Sequence, residues 1–385
     1  MSTTRIESAV QETYATGAAR RLDALCCPVE YEARHLEAIP DEVVERDYGC
    51  GDPSRHLREG ETVLDLGSGT GKICFIASQV VGPGGRVIGV DMTREMLDVA
   101  RKNAPLVAER IGYGNVEFRR GRIQDLALDL DALDRMLTEH AVTDADSLFD
   151  VERRVERLRR VEPMIPSDSV DVVVSNCVLN LVDGSEKPRL FREIFRVLRP
   201  GGRAVISDIV ADEPVPAHLR EDPELWSGCI SGALTEEDFL RAFTEEGFHG
   251  VRILVRQGEA WRTVEGIEFR SVTIEAFKGE DGPCLERRQA VIYKGPFREV
   301  VDDDGHRMVR GERTAVCDKT FRMYRRAPYA DHVETVEPRE TIPLEDAEPF
   351  DCSRDSPRHP REMKGMGYDW TGETGGEVCG PDGCC

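Results

Sequence analysis

Three of the twelve cysteines stand in settings that packing alone does not require: Cys50 in "RDYGCGDPSRH", Cys177 in "SNCVLNLV" and Cys229 in "LWSGCISGAL". A free cysteine commonly packs as a small buried hydrophobe. That role fits Cys177, at the end of an apolar run, about as well as chemistry does. It fits Cys50 and Cys229 less well, because glycines and small polar residues flank both. Thiolates are soft ligands that select soft or borderline metals and metalloids. Structural zinc calls for four ligands, often in close C-x-x-C pairs, whereas these three are dispersed singly.

The elements that would carry them follow from the hydrophobic pattern. From about Glu61 to Ile209, short apolar runs alternate with longer helical ones, the signature of βαβ units and a parallel sheet. "ETVLDLGSGTG" reads as the first strand and a glycine turn, "KICFIASQVV" as a helix, and "GRVIGVDM" as the second strand. "TREMLDVARKNAPLVAERIG" is a long helix with Thr93 at its N-cap. "VEFRRGRIQDL", "VDVVVSNCVL" and "RAVISDIV" supply strands three to five. On this plan Cys177 follows the fourth strand, at the carboxyl edge where open α/β sheets bind ligands. Cys50 precedes the first strand and Cys229 follows the fifth, so three distant segments can meet above one edge.

That edge also carries a cofactor pattern. "VLDLGSGTG" places Gly67, Ser68, Gly69 and Gly71 between strand and helix, where the backbone turns tightly and approaches a ligand. A G-x-G-x-G alone would also suit a dinucleotide. Asp65 precedes the turn, Asp91 ends the second strand about twenty residues later, and Gln124 and Asp125 close the third. An acid at the second strand end accepts ribose hydroxyls. An acid beside the turn repels a pyrophosphate but suits a cationic amino-acid moiety. The residues therefore point to a nucleoside-bearing cofactor on a doubly wound, Rossmann-like α/β sheet.

"VLDLGSGTGK", "VIGVDMT" and "RVLRPGG" closely resemble the S-adenosylmethionine-dependent methyltransferases of the seven-stranded class. "YGCG", "DMT" and "SNCVLNLV" together resemble, more narrowly, the arsenite methyltransferase family, from roughly Cys26 to Gly232. The resemblance implies S-adenosylmethionine as cofactor, with Tyr48, Gly67, Gly69, Gly71, Asp91, Met92, Gln124 and Asn176 as contacts. It implies trivalent arsenic as substrate, held by Cys50, Cys177 and Cys229, and an N-terminal cysteine that forms a disulfide with Cys50 during turnover. Cys27 is favoured for that role, with Cys26 as the alternative. A thiol reductant such as glutathione or thioredoxin would restore the thiols. Arsenic bound by three sulfurs keeps a lone pair pointing away from them, so methyl transfer needs no side-chain base and alignment supplies most of the catalysis. Two residues depart from the family pattern: Gln124 stands where many relatives carry an acid, and Gly228 where some carry glutamate.

Composition agrees with such an enzyme. The 385 residues carry a net charge of -22, against a nucleic-acid partner. The first residues lack the apolar core of a signal peptide and no run of eighteen apolar residues occurs, so no membrane role and a cytoplasmic location are expected. Most of the cysteines are then expected reduced. We expect an N-terminal helical segment (1–47) and a cofactor domain (48–210) with a helical insertion at 128–166. An arsenic-binding α+β domain (211–328) and a flexible acidic tail (329–385) follow. A monomer is the default. Cys74, Cys284, Cys317 and Cys352 read as packing, whereas Cys379, Cys384 and Cys385 are candidates for arsenite capture. The alternatives are a C- or O-methyltransferase of natural-product or quinone type, for which only His56 offers a nearby base, and a thiol-rich metal buffer.

Overall fold

The computed structural model describes residues 3–19, 29–46, 48–352, 357–365 and 367–368. The chain divides into two compact units, Met1–Glu280 and Asp281–Cys385.

In the first unit, α1 (Thr3–Ala19), α2 (Ala33–Leu36) and α3 (Asp41–Val44) precede the sheet. Then β1 (Thr62–Leu66), α4 (Lys72–Val81), β2 (Arg86–Asp91), α5 (Arg94–Ile111) and β3 (Val116–Arg120) alternate. The 128–166 insertion folds into α6 (Leu130–Glu139) and α7 (Ala145–Val161), capped by Asp129 and Asp144 respectively. Next come β4 (Val170–Asn176), α8 (Lys187–Val197), β5 (Leu198–Ala211), α9 (Ala217–Arg220) and α10 (Pro223–Ser227). The unit closes with β6 (Leu234–Thr235), α11 (Glu236–Glu245), β7 (Phe248–Arg256), β8 (Arg262–Val264) and β9 (Ile267–Lys278).

The sheet runs β3-β2-β1-β4-β5-β9-β7, with β1 to β5 parallel and β9 and β7 antiparallel. β4 is buried along its whole length, which is why "VDVVVSN" reads as a continuous apolar run rather than an alternating one. Strand order reverses between β1 and β4, so their carboxyl ends open a crevice there. The glycine turn lies at one lip and Cys177 at the other. Thr93 takes the N-cap position of α5, but it is the Asp91 carboxylate that accepts the Thr93 N–H, at 2.8 Å.

Two expected boundaries move. Residues 211–280 do not begin a separate domain: β9 pairs with β5 from Arg203↔Phe277 to Ala211↔Phe269. β5, buried on both faces from Gly202 to Ala211, would otherwise present an unpaired backbone edge. The second unit instead starts at Asp281. It holds β10 (Leu285–Glu286), β11 (Ala290–Tyr293), β12 (Glu299–Val301), β13 (Arg307–Val309), β14 (Arg313–Ala315), α12 (Asp318–Tyr324), β15 (Val333–Val336), β16 (Glu348–Pro349) and α13 (Pro360–Lys364). The expected tail is therefore partly folded. β15 pairs with β11, β16 pairs with β10, and Phe350 and Met363 are buried. Its acidic and proline-rich composition hid strands only two to four residues long. Cys26, Cys27, Cys379, Cys384 and Cys385 lie outside the described residues. Among the described residues no helix is long and apolar enough to cross a membrane.

Candidate active site

The glycine turn is tied to the end of β2. Gly67 and Ser68 N–H groups donate to the Val90 carbonyl at 2.8 and 3.0 Å, and Gly69 N–H donates to Asp91 Oδ2 at 2.9 Å. Gly67 has φ +73, and a Cβ there would lie 2.4 Å from Val178. Gly69 has φ +52 with open space beside it. That space is one cavity lined by Tyr48, Asp65, Gly67, Ser68, Gly69, Asp91, Met92, Gln124, Asn176 and Cys177. Nine of the ten expected cofactor residues thus share it. Gly71 does not line it; it starts α4 at φ +91, where a Cβ would meet Phe118 at 2.7 Å.

The lining fits S-adenosylmethionine on its own chemistry. Among the described residues the buried Ser68 hydroxyl has no hydrogen-bond partner, which suits a polar ligand group. Burial raises the Asp91 carboxyl while N–H groups of Thr93 and Gly69 pull it down, a buried acid suited to accepting hydroxyl donors. Met92, Met96 and Ile123 supply apolar wall.

Sequence reasoning missed the opposite wall. Glu7, Val10 and Tyr14 of α1 line the cavity, although nothing in "MSTTRIESAVQETYATGAA" marks them. Glu7 accepts from Gln124 Nε2 at 2.9 Å and pairs with Arg122 at 3.0 Å. An acid is thus present beside Gln124 after all, supplied from α1. Tyr14 donates to the Ser227 carbonyl at 3.4 Å, and Tyr48 donates to the Gly17 carbonyl at 3.1 Å.

The three singled-out cysteines converge. All are buried in one cluster. The sulfurs of Cys50 and Cys177 and a carboxylate oxygen of Asp208 lie within 4.8 Å of one another, and the Cys229 thiol donates to the Cys177 carbonyl at 3.1 Å. Hydrogen bonding with the Cys229 and Cys50 thiols, then burial, hold the Cys177 thiol well above its usual range; burial raises Cys50 as well.

The two asparagines around Cys177 explain how. Asn176 Oδ1 accepts the N–H groups of Cys50 and Gly51 at 2.9 and 3.0 Å, while Nδ2 donates to the Gly51 carbonyl at 2.7 Å and the Tyr31 hydroxyl at 3.2 Å. This clamp leaves no room for side chains beside Cys50. A Cβ at Gly49 would sit 2.1 Å from Asn176, and one at Gly51 2.6 Å from Ser207. Asn180 Nδ2 donates to the carbonyls of Ile209 and Cys229 at 2.6 and 3.3 Å. A Cβ at Gly232 would lie 1.9 Å from the Asn180 carbonyl oxygen. One motif thus carries a thiol and pins the two other thiol-bearing loops. Cys177 and Cys229 adopt φ +64 and +61, left-handed backbone that costs about 1–3 kcal/mol each for a non-glycine residue.

Asp208 is a further residue the sequence reading passed over, though an acid inside the apolar run "RAVISDIV" was its signal. Burial raises it to about 6 against the pull of Lys187, and burial lowers Lys187 to about 8. His56 does not line the cavity. Cys74 is buried packing, donating to Asp65 at 3.2 Å.

A methyltransferase domain family matches residues 57–162 and 151–247, and a domain of unknown function matches residues 280–368. The arsenite methyltransferase of Aquipseudomonas alcaligenes is 35% identical over 314 residues, 78% of this chain and 80% of that protein. That of Halobacterium salinarum is 39% identical over 242 residues, 60% of this chain and 51% of that protein. The crystal structure of an arsenic(III) S-adenosylmethionine methyltransferase from Chlamydomonas reinhardtii is similar at TM-score 0.54 and 29% identity, covering 84% of this chain and all of that one. With the cavity, the thiols and these likenesses together, the chain belongs to the arsenite methyltransferase family.

Proposed function

We propose that the first unit methylates trivalent arsenic held by Cys50, Cys177 and Cys229. The observation that carries this reading is the convergence of three buried thiols at the edge of a cavity suited to a sulfonium cofactor.

Raised thiols are compatible with arsenite at neutral pH. Trihydroxyarsenic exchanges with three thiols to give a trithiolate and three waters, so each sulfur's proton leaves with an arsenic-bound hydroxyl and no net charge is buried. S-adenosylmethionine, when bound, supplies an electrophilic methyl group and leaves as a neutral thioether. Asn176 and Asn180 fix the sulfurs, and with them the direction of the arsenic lone pair, so that alignment supplies the rate. Arsenic gains positive charge as it takes the methyl group. The Asp208 carboxylate, ionised above about 6, stands beside the sulfurs and stabilises that charge. Tyr14, raised well above its usual value by burial and by neighbouring Cys229 and Cys177, remains neutral and adds no competing charge. Reduction of the methylated arsenic is assigned to Cys50 with Cys27, or Cys26 in its place, followed by an external thiol such as glutathione or thioredoxin. A monomer acting in the cytoplasm completes the reading.

Purified protein incubated with S-adenosylmethionine, a thiol reductant and arsenite should yield both S-adenosylhomocysteine and methylated arsenic. Arsenite binding without S-adenosylhomocysteine formation would leave a metal buffer, and neither event would leave a methyltransferase for another small molecule.

A further inference from the structure

The second unit contains a thiol cluster of its own. Cys284, Cys317 and Cys352 bring their sulfurs within 4.8 Å of one another, although 33 and 35 residues separate them in the chain (317 − 284 and 352 − 317). The clustering is imposed by three separate elements. Cys284 sits one residue before β10, and its carbonyl accepts the Phe350 N–H at 2.8 Å while β10 pairs with β16. That pairing sets Cys352 beside it. Cys317 is the residue before α12, where its sulfur accepts the Thr320 N–H at 3.4 Å. Arg287 reaches from beyond β10 to Asp318 at 2.6 Å, tying the helix to the strand.

We propose that Cys284, Cys317 and Cys352 form a second site for trivalent arsenic, which binds it as a trithiolate and does not methylate it. Among the described residues three sulfurs form this group, matching a three-coordinate metalloid rather than the four ligands of structural zinc. The site is graded in access: Cys317 is fully buried against Ala315 and Phe350, Cys284 is half-buried and Cys352 is exposed. Burial and the Cys284 thiol push the Cys352 thiol up to about 12. The three thiols exchange with trihydroxyarsenic by the same balanced reaction, three As–O bonds giving three As–S bonds and three waters, with no oxidant or reductant.

The test uses the full chain, reduced and freed of metal, with N-ethylmaleimide modification of each cysteine followed by peptide mass spectrometry. Arsenite should slow modification of Cys284 and Cys352 together by about tenfold or more. Cys352→Ser, a change at an exposed position, should raise the arsenite concentration that protects Cys284 by about tenfold, since a ligand of a chelate is lost. Unchanged modification rates at Cys284 and Cys352 would overturn the proposal. So would protection of Cys284 that Cys352→Ser leaves intact, or zinc found at this cluster before metal is removed that arsenite does not displace. The readout is independent of methyl transfer, so its failure leaves the first unit's reading standing.

Discussion

The two thiol clusters have the same ligand atoms and different foundations. In the first unit, Cys177 and Cys229 are held at positive φ, glycines are forced by contacts as short as 1.9 Å, and two asparagines spend their amides on backbone clamps. In the second, none of the three cysteines has positive φ, and strand pairing and a helix start are enough to gather them. Binding a metalloid needs only that sulfurs be near one another. Methylating it also needs the lone pair aimed at a fixed donor, and backbone strain is the physical trace of that second demand.

Changes that remove a sulfur from the first cluster should have the largest effect. Cys177→Ser should lower arsenite methylation by about 10³-fold or more, in line with loss of a group that holds the reacting atom, while calorimetric binding of S-adenosylmethionine persists. Asn176→Ala and Gly49→Ala attack the clamp and leave every thiol in place. Each should lower kcat by about 10²-fold, the scale of a 1 Å misplacement, and Asn176→Ala should also cost about 1–3 kcal/mol of stability because the Cys50 and Gly51 N–H groups lose their acceptor. Chemical denaturation separates the two effects.

Asp208→Asn should cost about tenfold, or 1.4 kcal/mol of transition-state stabilisation. In the parent protein kcat should fall as pH drops through about 6, where Asp208 takes up its proton. The variant should lack that limb. Stability runs the other way: a carboxyl raised above its unfolded value near 3.8 contributes fully below that pH, and the contribution is lost as pH rises through about 6. Asp208→Asn should flatten that slope in denaturation curves. The smallest effect belongs to the second cluster, where Cys352→Ser should leave the methylation rate at saturating arsenite unchanged.

How much of this could be read from the sequence depended on whether the signal was local. The apolar runs of β1, β2 and β4 and the glycine turn announced themselves, and the glycines around Cys50 marked a loop whose close approach to Asn176 and Ser207 leaves no room for side chains. Asn180 was visible beside Cys177, but its role depends on where the Cys229 loop lands, which no spacing reveals. α1 closes the cavity with Glu7, Val10 and Tyr14, residues ordinary in any surface helix. β7 and β9 fall in the stretch expected to form a separate α+β domain and instead extend the sheet from β5, because an edge's need for a neighbour is a property of the sheet. Cys284, Cys317 and Cys352 looked like filler since strands of two or three residues bring them together.

The most direct test of the contrast is a single turnover. Protein saturated with arsenite and freed of excess is mixed with S-adenosylmethionine, and methylated arsenic is counted per chain for the parent, Cys177→Ser and Cys352→Ser. The account predicts the same first-turnover yield for the parent and Cys352→Ser and none for Cys177→Ser, although both variants bind less arsenic than the parent. Methylated arsenic formed at the parent rate by Cys177→Ser would contradict it.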